Sequence, residues 1–257
     1  MVQALINVEL FKAGVEAQLG GRKKLHQFVE TESAEGLQVG TFQLVTNEYV
    51  GDATVVGAGA PIPVSDLIQT KTPVTFEKIA KGVKLNDEEM RQKFGDPVGN
   101  AENQTVAAIE GKMEAKVAAL LKTATFSVQY AKTGGKIDGA TVLAAVGTLG
   151  EGLEDAPYYL VVNPADYAGL QADIKPTDNT ELQGKIYGAG VIMSARIPAG
   201  EAALIQQGAI KEIVQKDVDV EPKRDASTKS TEIFTDKIHA VYISDASKLV
   251  YIKRALV

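Results

Sequence analysis

Residues 53–65, ATVVGAGAPIPVS, hold no charged side chain, two glycines and two prolines. Such a stretch forms neither regular helix nor strand and has little to keep it in water. It is flanked by Thr41–Thr46 and Pro73–Leu85, runs rich in Val, Thr, Phe and Ile with partial alternation, and both read as strands. In the second run Val74 and Phe76 share one parity, and Ile79, Val83 and Leu85 share the other. That switch predicts a twist or bulge between Phe76 and Ile79. A two-stranded ribbon alone is marginal in water, and an apolar tip makes it worse, so something must cover it. Either the loop folds back on its own core, or it is a long arm that lies on a neighbouring subunit.

Asp96-Pro97 opens the clearest helix. Asp96 is a good N-cap, and Pro97 suits the first helical position, where its missing N–H costs nothing. Val106, Ile109, Met113, Val117, Leu120 and Ala124 follow at three- and four-residue spacing and form one apolar stripe. A continuous helix over 97–124 is on the order of 40 Å long. Glu110, Lys112, Glu114 and Lys116 place its other faces in water, and Gly111 in the middle points to a close backbone contact.

Beyond the Gly134-Gly135 turn, Asp138 caps a second helix bearing Val142, Ala145, Val146 and Leu149, ended by Gly150. Tyr158–Val162 is a continuous apolar run and reads as a buried strand. Asn163-Pro164 repeats the cap-then-proline signal ahead of a helix carrying Tyr167 and Leu170. Residues 173–184 read as a polar loop. Further strands are expected at Val191–Ser194, Ala202–Ile205, Val218–Glu221, Glu232–Ile243 and Leu249–Lys253. Residues 1–30 read as irregular to helical, with a break at Gly20-Gly21. Helices and strands interleave without βαβ regularity, so the class is α+β.

Of 257 residues none is cysteine, which removes thiolate catalysis, Cys-based zinc sites and iron–sulfur clusters and suits a reducing compartment. No apolar run approaches ~18 residues and no signal-peptide pattern opens the chain, so a soluble cytosolic protein without a membrane partner is expected. The net charge of -6 argues against a dedicated nucleic-acid binder, though not against a protein that surrounds nucleic acid.

The motif search yields no nucleophile elbow, zinc-protease helix or phosphate-binding loop, and Gly57 and Gly59 complete no dinucleotide fingerprint. His239 reads as a satisfied structural histidine, because spacing supplies it with no Ser or Asp partner. Asp217, Asp219 and Glu221 alternate with Val218 and Val220, so three carboxylates project from one strand face. They could hold Ca²⁺ or Mg²⁺; the simpler arrangement has the valines in the core and the acids in water. Arg22-Lys23-Lys24 is a solvated helix face or a non-specific phosphate contact. Asn103-Gln104-Thr105 matches a glycosylation acceptor but falls in the long helix. No catalytic, cofactor or metal residues are assigned. The chain reads as architecture.

Four stretches in this order resemble the tailed-bacteriophage major capsid protein family, whose fold is shared with encapsulin shells. They are PVTFEKIAKGVKLNDEEM; the helix opening at Asp96-Pro97 with IEGKMEAKVAALLKTA; YYLVVNPADYAGL followed by GAGVIMSARIPAGEAALIQQGAI; and VEPKRDASTKSTEIFTDKIHAVYISDASKLVYIK. The resemblance implies an N-terminal arm (1–40) and an extended β-hairpin loop (41–80). It further implies a discontinuous peripheral domain (81–130 and 217–257) built on the spine helix 97–124, and an axial domain (131–216). Val55, Val56, Pro61, Ile62, Pro63 and Val64 then become inter-subunit contacts, and Lys175, Pro176, Asp178 and Asn179 the loop at a symmetry axis. The implied function is a shell of pentamers and hexamers of this one chain, an icosahedral virion head assembled in the host bacterial cytoplasm around double-stranded DNA that it does not read. A portal and a separate scaffolding protein are the implied partners. The alternatives are an encapsulin-like nanocompartment shell and, less favoured, a metal-dependent enzyme using the acids near Asp219.

Overall fold

The computed structural model describes residues 7–22, 24–34, 40–47, 53–57, 59, 61–64, 66, 69–92, 95–130, 137–149, 156–173 and 185–254. Two sheets, a separate ribbon and one long helix organise the chain. Helix α1 (Val8–Arg22) leads through a 3₁₀ turn (Leu25–Phe28) into strand β1 (Val29–Ser33). The helix runs through Gly20-Gly21 rather than breaking there. Strands β2 (Thr41–Asn47) and β3 (Gln69–Thr75) pair antiparallel as a two-stranded ribbon, in register from Thr41 opposite Thr75 to Asn47 opposite Gln69.

The parity switch after Phe76 has a larger cause than a bulge. The chain changes sheet: β3 ends at Thr75, and β4 (Glu77–Asn86) pairs with another partner altogether. After the short acidic α2 (Asp87–Gln92) comes α3 (Pro97–Leu121), about 37 Å long. Asp96 caps it as expected, accepting the Gly99 N–H at 3.2 Å. A Cβ on Gly99 would lie 2.2 Å from an Asp96 carboxylate oxygen, so a side chain there would push the cap out of its present position. The helix stops at Leu121, short of the expected Ala124. There the Thr123 hydroxyl and N–H both donate to the Leu120 carbonyl and tighten the last turn.

The stripe on α3 is buried as the spacing predicts at Val106, Ile109, Met113 and Val117, with Leu121 completing it and Leu120 only half-buried. Two expectations fail here. Glu114 is buried rather than solvated, and a Cβ on Gly111 would meet nothing nearer than the Arg196 guanidinium at 3.5 Å, so no close backbone approach exists.

Strand β5 (Phe126–Tyr130) is followed by α4 (Gly139–Leu149), whose cap is Asp138 accepting the Thr141 N–H at 2.9 Å. Next come β6 (Tyr158–Val162) and α5 (Pro164–Asp173), where Asn163 accepts the Ala165 N–H at 2.9 Å. Strands β7 (Lys185–Ile186) and β8 (Ala189–Met193) turn through Tyr187-Gly188, both at positive φ as a tight hairpin requires. The chain continues through β9 (Ala202–Gln206), β10 (Ile210–Asp225), β11 (Ser230–Ile243) and β12 (Leu249–Arg254).

The four-stranded sheet has order β1-β10-β11-β4, and the six-stranded sheet β5-β12-β9-β6-β8-β7. Strand β12 thus lies inside the six-stranded sheet, not beside the four-stranded one. The six-stranded sheet is covered on both faces. Leu160, Val162, Leu204, Val250 and Ile252 point toward α4 and α5, while Val161, Ile205, Leu249 and Tyr251 point toward the end of α3 and the 3₁₀ turn. The first part of α3 packs Val106, Ile109 and Met113 between α1 (Phe11, Val15, Leu19) and the four-stranded sheet (Val218, Val220, Ile233). One helix therefore contributes to the cores of both sheets.

Candidate inter-subunit surfaces

The β2–β3 ribbon is anchored at its base and bare at its tip. Phe42 stacks on Phe76 at 5.4 Å between ring centroids and meets Tyr242 edge-on at 6.0 Å. Val74, Phe76, Ala240 and Tyr242 form a small core there, with Leu44, Ile213 and Ile238 packed against it. Aromatic pairs of this geometry add to their area burial and fix the direction in which the ribbon leaves the body. Beyond Leu44 the support stops. Val55 is fully exposed, and Ile62 and Val64 are 78% and 92% exposed. Pro61 and Pro63 are exposed, and Val56 is half-buried. Among the described residues of the uncharged tip, five of its apolar side chains thus stand clear of the core: Val55, Pro61, Ile62, Pro63 and Val64. Soluble surfaces normally carry single scattered apolar residues, so a run of exposed ones on this ribbon is out of the ordinary.

Between the ribbon and the body lies an open cleft of 1620 Å³. Leu44, Val45 and Val74 line it from the ribbon, and Lys116, Phe126 and Tyr242 from the body. Lys175, Pro176, Asp178 and Asn179, expected at a symmetry axis, lie outside the described residues, as do Lys23 and the side chain of Arg22. Lys24 is exposed.

The acids of β10 do not converge. Val218 and Val220 are buried against α3, as the simpler arrangement has it. Asp217 accepts from Lys237 at 3.1 Å, and Asp219 pairs with Lys216 at 2.6 Å. The Lys216 ammonium beside Asp219 holds its carboxyl below the usual carboxylate range. Among the described residues no three His, Asp or Glu side chains are placed to hold a metal ion.

Several carboxylates are buried that sequence reasoning did not place in the interior, Glu114 and Glu212 among them. Glu114 accepts the backbone N–H groups of Lys24 and Leu25 at 2.7 and 3.1 Å, and Arg196 Nε at 3.3 Å. Glu212, fully buried on β10, lies 2.7 Å from His239 Nδ1 and 3.6 Å from His26 Nε2. His239 is thus a buried, satisfied histidine, as expected, and its partner is Glu212. Alternation was the available signal for Glu212, because Ile210, Glu212 and Val214 share one parity of a strand. No comparable signal marks Glu114, which shares a helix turn with solvated charges.

The phage capsid protein family matches residues 69–252. The major capsid protein of Staphylococcus phage phiMR11 is 32% identical over 259 aligned residues, covering 96% of this chain and 92% of that one. Among solved structures, the capsid of cyanophage P-SCSP1u superposes with a TM-score of 0.70 at 11% identity, covering 90% of this chain and 87% of the other. A virus-like particle from Pyrococcus furiosus superposes with a TM-score of 0.67 at 13% identity, covering 96% and 99%. The ribbon, the two sheets and the long helix are thus the mixed α+β capsid fold, and the chain belongs to the phage capsid protein family.

Proposed function

We propose that this chain is the major capsid protein of a tailed bacteriophage, assembling with copies of itself into the pentamers and hexamers of an icosahedral head around double-stranded DNA. The near full-length match to a phage major capsid protein carries the reading. The bare apolar tip supports it, since a closed shell supplies the neighbour that such a tip needs. The protein acts as architecture, not as an enzyme, and its acidic balance suits enclosing DNA without sequence-specific contacts. Assembly in the host cytoplasm with a portal and a separate scaffolding protein belongs to the same reading.

Within it, residues 1–40 are an N-terminal arm and 41–80 the extended loop. Residues 81–130 and 217–257 form the peripheral domain on α3, and 131–216 the axial domain, to whose sheet β5 and β12 are added. Val55, Val56, Pro61, Ile62, Pro63 and Val64 contact a neighbouring subunit, and Lys175, Pro176, Asp178 and Asn179 lie at a symmetry axis. Pro61 and Pro63 stiffen the tip and reduce the entropy lost on docking.

The test is the double substitution Val55→Asp and Val56→Asp, which places charges in the proposed contact at a cost of several kcal/mol per interface if they stay unpaired. The variant is expected to keep its circular dichroism spectrum while electron microscopy finds no closed shells. Normal shells would refute the contact; loss of the fold would mean that the tip packs on its own subunit. A nanocompartment shell built on the same fold is the second reading. Nucleic acid inside purified shells selects the first reading, and a protein cargo the second.

A further inference from the structure

The only two histidines of the chain, far apart in sequence, meet at one buried carboxylate. Glu212 sits on β10 opposite Thr31 of β1 and Val241 of β11. His239 reaches it from β11, and His26 from the 3₁₀ turn that precedes β1. Both imidazoles are at least 95% buried, so this is an internal cluster rather than a surface ion pair. We propose that Glu212, clasped between His26 and His239, is an acid-released latch that holds residues 24–33 on the body of the subunit.

The surroundings decide the sign. Lys237, two residues before His239 on β11 and 95% buried, also acts on Glu212, and its ammonium is bonded to Asp217 of β10. Glu77 of β4 lies opposite His239 in the ladder and is paired with Lys116 of α3. On β1, Glu30 and Glu32 are both paired with Lys211 of β10. Glu114 of α3 binds the 3₁₀ turn through backbone N–H groups and is paired with Arg196. Glu77 and Glu114 are thus each paired with a cation, Glu30 and Glu32 share Lys211, and the buried Asp236 of β11 is paired with Lys78 and Lys216; Glu212 faces His26, His239 and Lys237.

Burial pushes the Glu212 carboxyl up. The His239 hydrogen bond and the charges of His26, Lys237 and His239 outweigh that and hold it at about 2, against an ordinary 4.5. A carboxyl lowered on folding contributes stability that is complete above its ordinary value and is lost as the pH falls toward the folded one. The gap corresponds to roughly 300-fold tighter proton binding once the latch is open. Protonating Glu212 also removes the one buried negative charge that His26, His239 and Lys237 face, which favours release. Strand β1 itself is five residues long, at the sheet edge, and exposed after Glu30; besides the latch it has its ladder with β10 and the Lys211 pairs, while Leu25 and Phe28 hold the preceding turn in the core.

The test is hydrogen-exchange mass spectrometry on the full chain, with the labelling pulse at each pH scaled to the intrinsic exchange rate. Between about pH 5 and about pH 3, protection of residues 25–33 is expected to fall about tenfold relative to residues 106–121 of α3. Glu212→Gln, which mimics the protonated carboxyl, should show low protection of 25–33 already near neutral pH and no further fall on acidification. His26→Gln removes one charge that favours the carboxylate, so its release should move to higher pH. It also carries the test if Glu212→Gln does not fold. Loss of protection in 25–33 and 106–121 together in the wild type would overturn the latch. So would a release at unchanged pH in His26→Gln.

Discussion

Glu114 on α3 accepts the backbone N–H of Leu25 from 89 residues away, and its second oxygen takes Arg196 from the turn between β8 and β9. A single buried carboxylate thus joins three separate segments. Glu114→Gln keeps the shape but replaces one acceptor oxygen with a donor, so either a backbone N–H or Arg196 loses its partner. A loss of about 1–3 kcal/mol is expected in urea unfolding, with Glu114→Ala no better tolerated. Lys112→Ala, two residues away and exposed, should stay within about 0.5 kcal/mol.

Met113 is fully buried between α1 and the four-stranded sheet. Met113→Ala should cost about 2–4 kcal/mol through the cavity it leaves, and Val117→Ala somewhat less because fewer atoms are removed. Equal effects at Met113 and Lys112 in the same unfolding series would contradict the assignment of the buried stripe.

Two glycines in the same helix should respond with opposite signs. Gly99→Ala drives a methyl into the Asp96 cap and should cost about 0.5–2 kcal/mol. Gly111→Ala meets only ordinary contact with Arg196 and should gain up to about 1 kcal/mol from helix propensity. Thermal unfolding of the two variants side by side is the measurement.

Asp87, at the start of α2, binds Arg224 in a fork, and its N–H donates to the Lys229 carbonyl at 3.0 Å. These contacts pin the tip of the β10–β11 hairpin. The Arg224 hydrogen bond holds the Asp87 carboxyl below its ordinary 3.8, outweighing the opposite effect of burial. The contribution of this pair is therefore complete above 3.8 and fades as the pH falls below it. Asp87→Asn should speed hydrogen exchange in residues 225–230 at neutral pH, and high salt should do the same to a lesser degree in the wild type.

The elements legible in the sequence were those whose signal is local. Asp96-Pro97, Asp138 and Asn163-Pro164 each announce a helix by side-chain chemistry within three residues of the cap. Strand β6 announces itself because both its faces are buried and every residue is apolar. Strand β1, VETES, was invisible, since one edge of a polar strand finds its partner in β10, far along the chain. The first half of β10 is hidden for a related reason: Lys211, Glu212 and Lys216 interrupt the apolar pattern with charged groups that find partners on β1 and β11. The bare tip of the ribbon was legible from its missing charge, whereas the buried carboxylates at 114 and 212 depend on tertiary neighbours and leave almost no local trace.

The pairing of strands also bears on how the chain is made. Strands β1, β4 and β5 pair, respectively, with β10, β11 and β12, all drawn from residues 210–254. While a ribosome is still translating toward residue 210, these three early strands have no ladder partner, and the four-stranded sheet does not exist at all. Folding of this kind, dominated by contacts between distant parts of the chain, is slow compared with closing local helices. It delays completion of the four-stranded sheet until residues 210–243 have left the exit tunnel, so β1 and β4 wait with unpaired edges through the synthesis of everything between them and their partners.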